Sequence, residues 1–136
     1  MLNYDPRKIS VAVYTHLKTV KESASDTKHH DEQRNQAIEL YTYIATWGLI
    51  RLKGEEPALV NKPQKQKVVK CFFETLGKLA YPTKTPNPLI GTDGLEELTK
   101  LKASEYLGLT GVALQVAREY SFWAESLYAK STTTKP

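Results

Sequence analysis

The sequence predicts an all-α protein, a compact bundle of about five helices in one domain over residues 1–130, with a flexible polar tail at residues 131–136. Apolar residues recur every three or four positions over long stretches, which is the period of a helix that buries one face. No segment longer than a few residues shows the strict alternation of a half-buried strand. Hydrophobic residues make up 40% of the chain and charged residues 25%, a composition typical of an ordinary globular domain.

Two helices are predicted in the N-terminal half. The first begins at Asp5, whose carboxylate can cap the first turn, and Pro6 suits the first helical position. This helix should end near Ser23, and its apolar stripe consists of Ile9, Val13, Leu17 and Val20. The second is expected to begin at Asp31, to kink or break at Gly48 and to stop between Gly54 and Pro57. Its stripe consists of Ala37, Leu40, Tyr41, Ile44 and Trp47.

Three further helices are predicted after a linker over residues 55–63. Pro63 opens the third, whose apolar face consists of Val69, Phe72, Phe73, Leu76 and Leu79. Prolines 82, 86 and 88 then forbid regular structure as far as Gly91. Thr92 should cap a short fourth helix and Ser104 the longest, fifth one. The main stripe of the fifth helix consists of Leu109, Ala113, Val116, Tyr120, Trp123 and Leu127, and it is broadened by Leu107, Leu114, Ala117 and Ala124.

Positive charge is concentrated in one stretch. The whole chain has a formal net charge of +4, yet residues 62–90 alone contain six lysines and one acidic residue. Four of these lysines, Lys62, Lys65, Lys67 and Lys70, fall at the start of the third helix, where the helix dipole also favours an anion. We therefore predict that they contact an RNA backbone, with a contribution from Arg7, Lys8, Arg34 and Arg51. A lysine face that is merely solvated is the alternative.

Catalytic and metal-binding patterns are not found. His29 and His30 are adjacent and point in different directions, so they cannot share a metal as histidines four residues apart can. His16 is expected to be a hydrogen-bonded histidine at the edge of the core, and Cys71 a small buried hydrophobe. Glu55 and Glu56 are expected in a loop as solvated charges, without the facing geometry of an acid–base pair. The chain is therefore predicted not to be an enzyme and to need no metal or cofactor.

Most aromatic side chains lie on apolar stripes and are expected in the core, Trp47 and Phe122 among them. Tyr43 and Tyr128 are predicted to be the exposed exceptions, where a ring could stack on a base.

The sequence also favours a cytoplasmic protein. Cys71 is the only cysteine, which excludes an intramolecular disulfide and suits a reducing compartment. The first residues contain no apolar run, and no stretch of about 18 apolar residues occurs. We therefore expect neither secretion nor a membrane partner.

Two segments resemble a known family. Glu105-Tyr106, Leu109-Thr110, Ala113-Leu114, Ala117, Phe122-Trp123-Ala124 and Leu127 are similar to the last helix of the small subunit of type III-B CRISPR (Cmr) RNA-guided effector complexes. Arg34, followed by Ile44 to Gly48-Leu49, resembles that family's helix ending in an apolar-x-x-Gly-Leu turn. Trp47 departs from the pattern, since a polar residue is usual there, and the loop from Pro82 to Pro88 has no counterpart.

The resemblance implies a compact α-helical protein without catalytic activity that takes part in antiviral defence. Such a subunit stacks with copies of itself as a helical filament, alongside the backbone and large subunits of the effector complex. There it would help to hold the CRISPR guide RNA and the target RNA.

Two other interpretations remain open. A small helical DNA-binding regulator would also be basic, but it needs a tight turn between two short helices and base-reading side chains at the start of the second. Lys62 to Lys70 fit that role only loosely, because lysines without Asn, Gln or Arg favour phosphate contact over base reading. A helical adaptor that binds only proteins would leave the lysines solvated.

Overall fold

A computed structural model describes residues 5–128. This part of the chain forms six α-helices and one 3-10 turn, with no strand among the described residues. The elements are α1 (Pro6–Glu22), α2 (Thr27–Trp47), α3 (Leu49–Ala58), the 3-10 turn (Leu59–Asn61), α4 (Pro63–Ala80), α5 (Thr92–Lys100) and α6 (Ala103–Leu127). The all-α prediction is confirmed, with six helices where about five were predicted. The tail predicted at residues 131–136 lies outside the described residues.

Four long helices, α1, α2, α4 and α6, pack around a shared core. Both α4 and α6 contact all three other members of this group, α3 packs against α2 and α4, and α5 packs against α3. Aromatic side chains fill the centre, where the Phe72 ring meets the rings of Phe73 and Tyr120 edge-on at centroid distances of 5.3 and 5.7 Å. The apolar stripes seen in the sequence therefore supply most of the buried side chains.

The first two helix starts are both set by an aspartate. The Asp5 carboxylate accepts a hydrogen bond from the Arg7 amide at 3.0 Å, which confirms the predicted start of α1. For α2 the predicted start at Asp31 is wrong. The carboxylate of Asp26 accepts from the Lys28 amide at 3.0 Å, so the helix begins one turn earlier, at Thr27.

Gly48 separates α2 from α3, as predicted, and it does so by a complete break. Its backbone has φ 93° and ψ 164°, a conformation that is essentially restricted to glycine. The start of α3 has no side-chain cap of its own. Instead, the hydroxyl of Tyr106 in α6 accepts a hydrogen bond from the Ile50 amide at 3.0 Å. The sixth helix arises from this break.

The predicted stop between Gly54 and Pro57 is wrong, because α3 continues to Ala58 with Pro57 inside it. Two charged residues form a buried ion pair within this helix. The ammonium of Lys53 donates to a Glu56 carboxylate oxygen at 2.8 Å across one turn, and both side chains are buried. Glu56 is therefore not the solvated loop charge that was expected.

The last two helices begin earlier than predicted, α5 by one residue and α6 by two. Gly91 precedes α5, so Thr92 is the first helical residue instead of the cap. In α6 the first helical residue is Ala103, and a carboxylate oxygen of Glu105 accepts from the Lys102 amide at 2.9 Å. That hydrogen bond replaces the cap predicted for Ser104.

The connection between α4 and α5 is held by Asn87. Its side-chain amide donates to the carbonyl of Glu74 in α4, and its side-chain oxygen accepts from the Leu89 amide, both at 3.0 Å. Gly77 makes this approach possible, since a Cβ at that position would overlap the Asn87 side chain. The proline-rich segment is thereby fixed against α4.

Candidate RNA-contacting surface

The four lysines predicted to contact RNA lie at the start of α4. Lys62 immediately precedes the helix, and Lys65, Lys67 and Lys70 lie within its first eight residues. Lys62 and Lys70 are exposed, whereas Lys65 and Lys67 are half-buried. Within residues 5–128 none of the four forms an ion pair. The fold therefore does not neutralise their charge.

The beginning of α4 adds to this positive potential. No side chain caps the helix, and Pro63 occupies its first position. Uncapped amide groups at a helix start carry a partial positive charge that attracts anions. The nearest acidic residues along the sequence are Glu56 and Glu74, so the chain has no carboxylate from position 57 to 73.

The lysines divide into two groups by position. Lys62 and Lys65 lie at the helix start, while Lys67 and Lys70 lead onto the outer face, which continues with Glu74 and Lys78 at three- and four-residue spacing. The ammonium of Lys67 donates to the Ser23 hydroxyl at 3.2 Å, which ties this face to the end of α1. No acidic residue lies among the lysines at the helix start, whereas Glu74 lies between Lys70 and Lys78 on the outer face.

The other predicted RNA contacts, Arg7, Lys8, Arg34 and Arg51, lie on α1, α2 and α3 and are mostly engaged within the protein. Arg7 pairs with Asp5 at 3.1 Å, and Arg34 pairs with Glu125 of α6 at 2.8 Å. The guanidinium of Arg51 lies over the Trp47 ring, 4.7 Å from its centroid. Lys8 is exposed and forms no ion pair in the described part of the chain. Of the eight predicted RNA contacts, only Arg7 and Arg34 form an ion pair within residues 5–128.

Three predictions about aromatic residues are wrong. Trp47 is 54% exposed and Phe122 60%, although both were expected in the core. Trp47 is the last residue of α2, so the break at Gly48 leaves its ring beyond the packed stripe. Tyr128, expected at the surface, is buried and donates a hydrogen bond to the Gln33 side chain at 2.7 Å. Tyr43 is half-buried.

A buried polar cluster joins α1, α4 and α6. The Thr75 hydroxyl lies 2.6 Å from Nδ1 of His16, 2.7 Å from the hydroxyl of Tyr120 and 3.0 Å from the Cys71 carbonyl. His16 is thus a hydrogen-bonded histidine at the edge of the core, as predicted. Cys71 is buried, also as predicted, and burial raises the pKa of its thiol to about 12. The thiol is therefore neutral near pH 7 and a weak nucleophile.

No group of three or more His, Cys, Asp or Glu side chains in residues 5–128 is placed to hold a metal ion. Over the same residues, no helix combines the length and the apolar character needed to cross a bilayer.

Sequence reasoning missed a groove between α3, the 3-10 turn, α4 and the start of α5. Its volume is about 680 Å³. Exposed Val60, Ile90 and Leu95 line it together with the buried Lys53–Glu56 pair. The i, i+3 spacing of that pair was a signal in the sequence, but the expected helix stop concealed it.

Comparison of the chain with protein-family models, with curated proteins and with solved structures gives no match.

Proposed function

We propose that this chain is a non-catalytic, RNA-contacting small subunit of a type III-B CRISPR (Cmr) RNA-guided effector complex. In this role it acts in the cytoplasm in antiviral defence and stacks in several copies beside the backbone and large subunits. One observation carries the proposal. Lys62 and Lys65 lie at the uncapped start of α4, Lys67 and Lys70 lie within its first eight residues, and none of the four forms an ion pair within residues 5–128.

The chemistry of this surface favours a phosphate backbone over base edges. A lysine ammonium is a point charge with rotatable donors, so it neutralises phosphate without selecting a base. Direct reading of bases generally uses Arg, Asn or Gln in bidentate contacts. The lysine group would thus hold guide and target RNA of any sequence, as an RNA-guided assembly requires.

The arrangement of α2 and α6 also supports the proposal. The two segments that resemble the Cmr small subunit lie in these helices, and the helices pack against each other. Arg34 pairs with Glu125 across this contact, and Tyr106 bonds to Ile50 just beyond the Gly48 break. One residue of each contact, Arg34 in the first and Tyr106 in the second, belongs to the segments that carry the resemblance.

The test is simultaneous replacement of the four lysines by alanine. Binding of target RNA by the assembled complex should weaken, because fewer phosphates are neutralised. The slope of log affinity against log salt should become shallower by roughly 0.7 for each phosphate of a single strand that is no longer neutralised. Substitutions at exposed positions such as Lys62 and Lys70 usually change stability by no more than about 0.5 kcal/mol, and denaturant unfolding of the variant checks the effect of the half-buried Lys65 and Lys67.

A charge-matched control uses four exposed lysines elsewhere, Lys18, Lys28, Lys84 and Lys100, also replaced by alanine. It changes net charge by the same amount, so a general decrease of positive potential would affect both variants equally. The proposal requires a larger decrease of affinity and slope for the α4 variant. Equal effects, or an unchanged slope for the α4 variant, would favour a protein-only adaptor with solvated lysines.

A further inference from the structure

Three separate segments bring exposed apolar side chains to the groove between α3 and α5. Val60 lies in the 3-10 turn, Ile90 lies near the end of the proline-rich connection, and Leu95 lies in α5. Their side chains are 66%, 46% and 36% exposed, respectively. Among the described residues only seven large apolar side chains are exposed, and three of them border this one concavity. Exposed apolar side chains from three segments thus meet at one concavity, which makes it the candidate docking surface.

The α4 wall of the groove presents two opposite charges. Lys70 and Glu74 line it from successive turns, and neither forms an ion pair with another residue of the described chain. The buried side holds Lys53 and Glu56, paired at 2.8 Å, with the Lys53 ammonium 4.7 Å from the centre of the Phe73 ring. The titratable groups lining the groove thus contribute two positive and two negative charges.

This charge pattern distinguishes between possible occupants. A polynucleotide carries negative charge at every residue, so Glu74 and Glu56 would repel it, and apolar side chains would gain nothing from its phosphates. A polypeptide can supply an acid, a base and an apolar side chain within one helical turn. The groove is therefore complementary to a protein segment.

A second copy of this chain does not offer such a segment within residues 5–128. Only Phe122 among its exposed apolar residues outside the groove has both an acid and a base three or four positions away. Those flanking charges are already engaged, since Arg118 bonds to the Tyr41 hydroxyl at 3.1 Å and Glu125 pairs with Arg34 at 2.8 Å. The acidic Glu119 accepts from Ser10 at 2.7 Å. Within residues 5–128, therefore, no exposed segment of a second copy matches the charge pattern of the groove.

We infer that this groove is a docking site for a segment of a different protein. The segment inserts an apolar side chain between Val60, Ile90 and Leu95, and places an acidic residue against Lys70 and a basic residue against Glu74. The inference rests on the proposed function in one respect: the partner is sought among the proteins that assemble with this chain.

Photo-crosslinking in the assembled complex tests the inference. Thr92, an exposed residue on the groove rim, is replaced by the photoreactive p-benzoylphenylalanine, and the same replacement at Val11 of α1 is the matched control. The chain is expressed together with the proteins that assemble with it, irradiated, and its covalent adducts are sequenced by mass spectrometry. The expected adduct at Thr92 is a peptide of another protein with an apolar residue flanked by an acid and a base. It should be absent from the Val11 control.

Glu74→Lys is then added to the Thr92 derivative, with Glu39→Lys on α2 as the charge-matched control. Replacing attraction by repulsion at Glu74 should lower the adduct yield roughly threefold or more, since an exposed ion pair contributes up to about 1 kcal/mol and its reversal adds a repulsion. Glu39→Lys should leave the yield unchanged. For an RNA occupant the same Glu74 change would raise the yield.

Several outcomes would overturn the inference. They are an adduct with RNA, an adduct with a second copy of this chain, no adduct, or a peptide adduct whose yield does not respond to Glu74→Lys. Because Lys70 also lines the groove, the lysine experiment is repeated with Lys62, Lys65 and Lys67 alone replaced, and its readout, the salt dependence of RNA binding, is then independent of these outcomes. Absence of the adduct with normal RNA binding contradicts the docking site alone, and the reverse result contradicts the proposed function alone.

Discussion

His16 is a half-buried titratable residue whose side chain contacts the buried Thr75. Its Nδ1 lies 2.6 Å from the Thr75 hydroxyl, which donates its own proton to the Cys71 carbonyl at 3.0 Å. The threonine hydroxyl thereby joins His16 to the buried cluster around Tyr120. Burial lowers the pKa of His16, Glu74 opposes that shift and Lys78 adds to it. The neutral ring is thus the form that suits the folded protein.

This pKa shift predicts a loss of stability in mild acid. The unfolded chain binds a proton to His16 near the ordinary pKa of 6.5, whereas the folded chain binds it only at lower pH. The free energy of unfolding should therefore fall as the pH drops below that value. His16→Asn keeps a side-chain donor near the Thr75 hydroxyl, but asparagine does not titrate. Urea unfolding at about pH 7.5 and about pH 5.5 should show a smaller loss for the variant than for the natural protein. Equal losses in the two proteins would contradict this role of His16.

At the level of the helices, Gly48 decides where α2 ends and α3 begins. Its φ of 93° and ψ of 164° allow the chain to turn between Trp47 and Leu49. The Tyr106 hydroxyl lies 3.6 Å from the position that a Cβ would occupy, which is an ordinary contact distance. The backbone conformation, and not lack of space, therefore makes glycine necessary there.

Two glycine-to-alanine substitutions, which should change the free energy of unfolding in opposite directions, test this role. Gly48→Ala should lower the free energy of unfolding by about 1–3 kcal/mol, because a side chain at this φ and ψ is strained. Gly54, inside α3 with open space around it, is the control. Gly54→Ala should raise stability by about 0.5–1 kcal/mol, because alanine loses less backbone entropy in a helix. Denaturant unfolding measures both, and a neutral Gly48→Ala would show that the break needs no glycine.

Helix positions were more predictable than helix ends. Periodic apolar stripes located the helical segments, with α2 and α3 predicted as one interrupted helix, because burial of one face depends on spacing. The start of α2 was placed late because both Asp26 and Asp31 can cap, and only the fold selects between them. The end of α3 was placed early because Gly54 and Pro57 are typical of helix ends. The burial of the Lys53–Glu56 ion pair inside the helix depends on tertiary contacts, which the sequence does not show.

For the whole molecule, all-α architecture and a basic start of α4 could be predicted, while the groove could not. Lysine clustering is visible along the sequence. The groove requires residues from α3, α4 and α5 to converge, and the distance in sequence between Val60 and Leu95 conceals that convergence. Trp47 was expected in the core and is exposed, whereas Tyr128 was expected at the surface and is buried. Both lie at a helix end, where apolar periodicity gives no information about tertiary neighbours.

Three of the long helices are joined at one end of the bundle by buried amides. The Tyr128 hydroxyl donates to the Gln33 side chain at 2.7 Å, and Nε2 of Gln33 donates to Oε1 of Gln64 at 2.7 Å. Gln33 is fully buried and Gln64 is 7% exposed. The network links α2, α4 and the residue that follows α6, so it fixes how these helices align.

A double-mutant cycle on Gln33 and Gln64 should reveal this linkage. Either glutamine replaced alone by leucine leaves its partner's amide buried without that hydrogen bond, which should cost about 1–3 kcal/mol of the free energy of unfolding. The double variant removes both groups together and should be destabilised by less than the sum, with a coupling of about 0.5–3 kcal/mol. Gln115→Leu on the exposed face of α6 should change stability by no more than about 0.5 kcal/mol. Strictly additive effects would mean that the two amides contribute separately and that packing alone sets the alignment of α2 and α4.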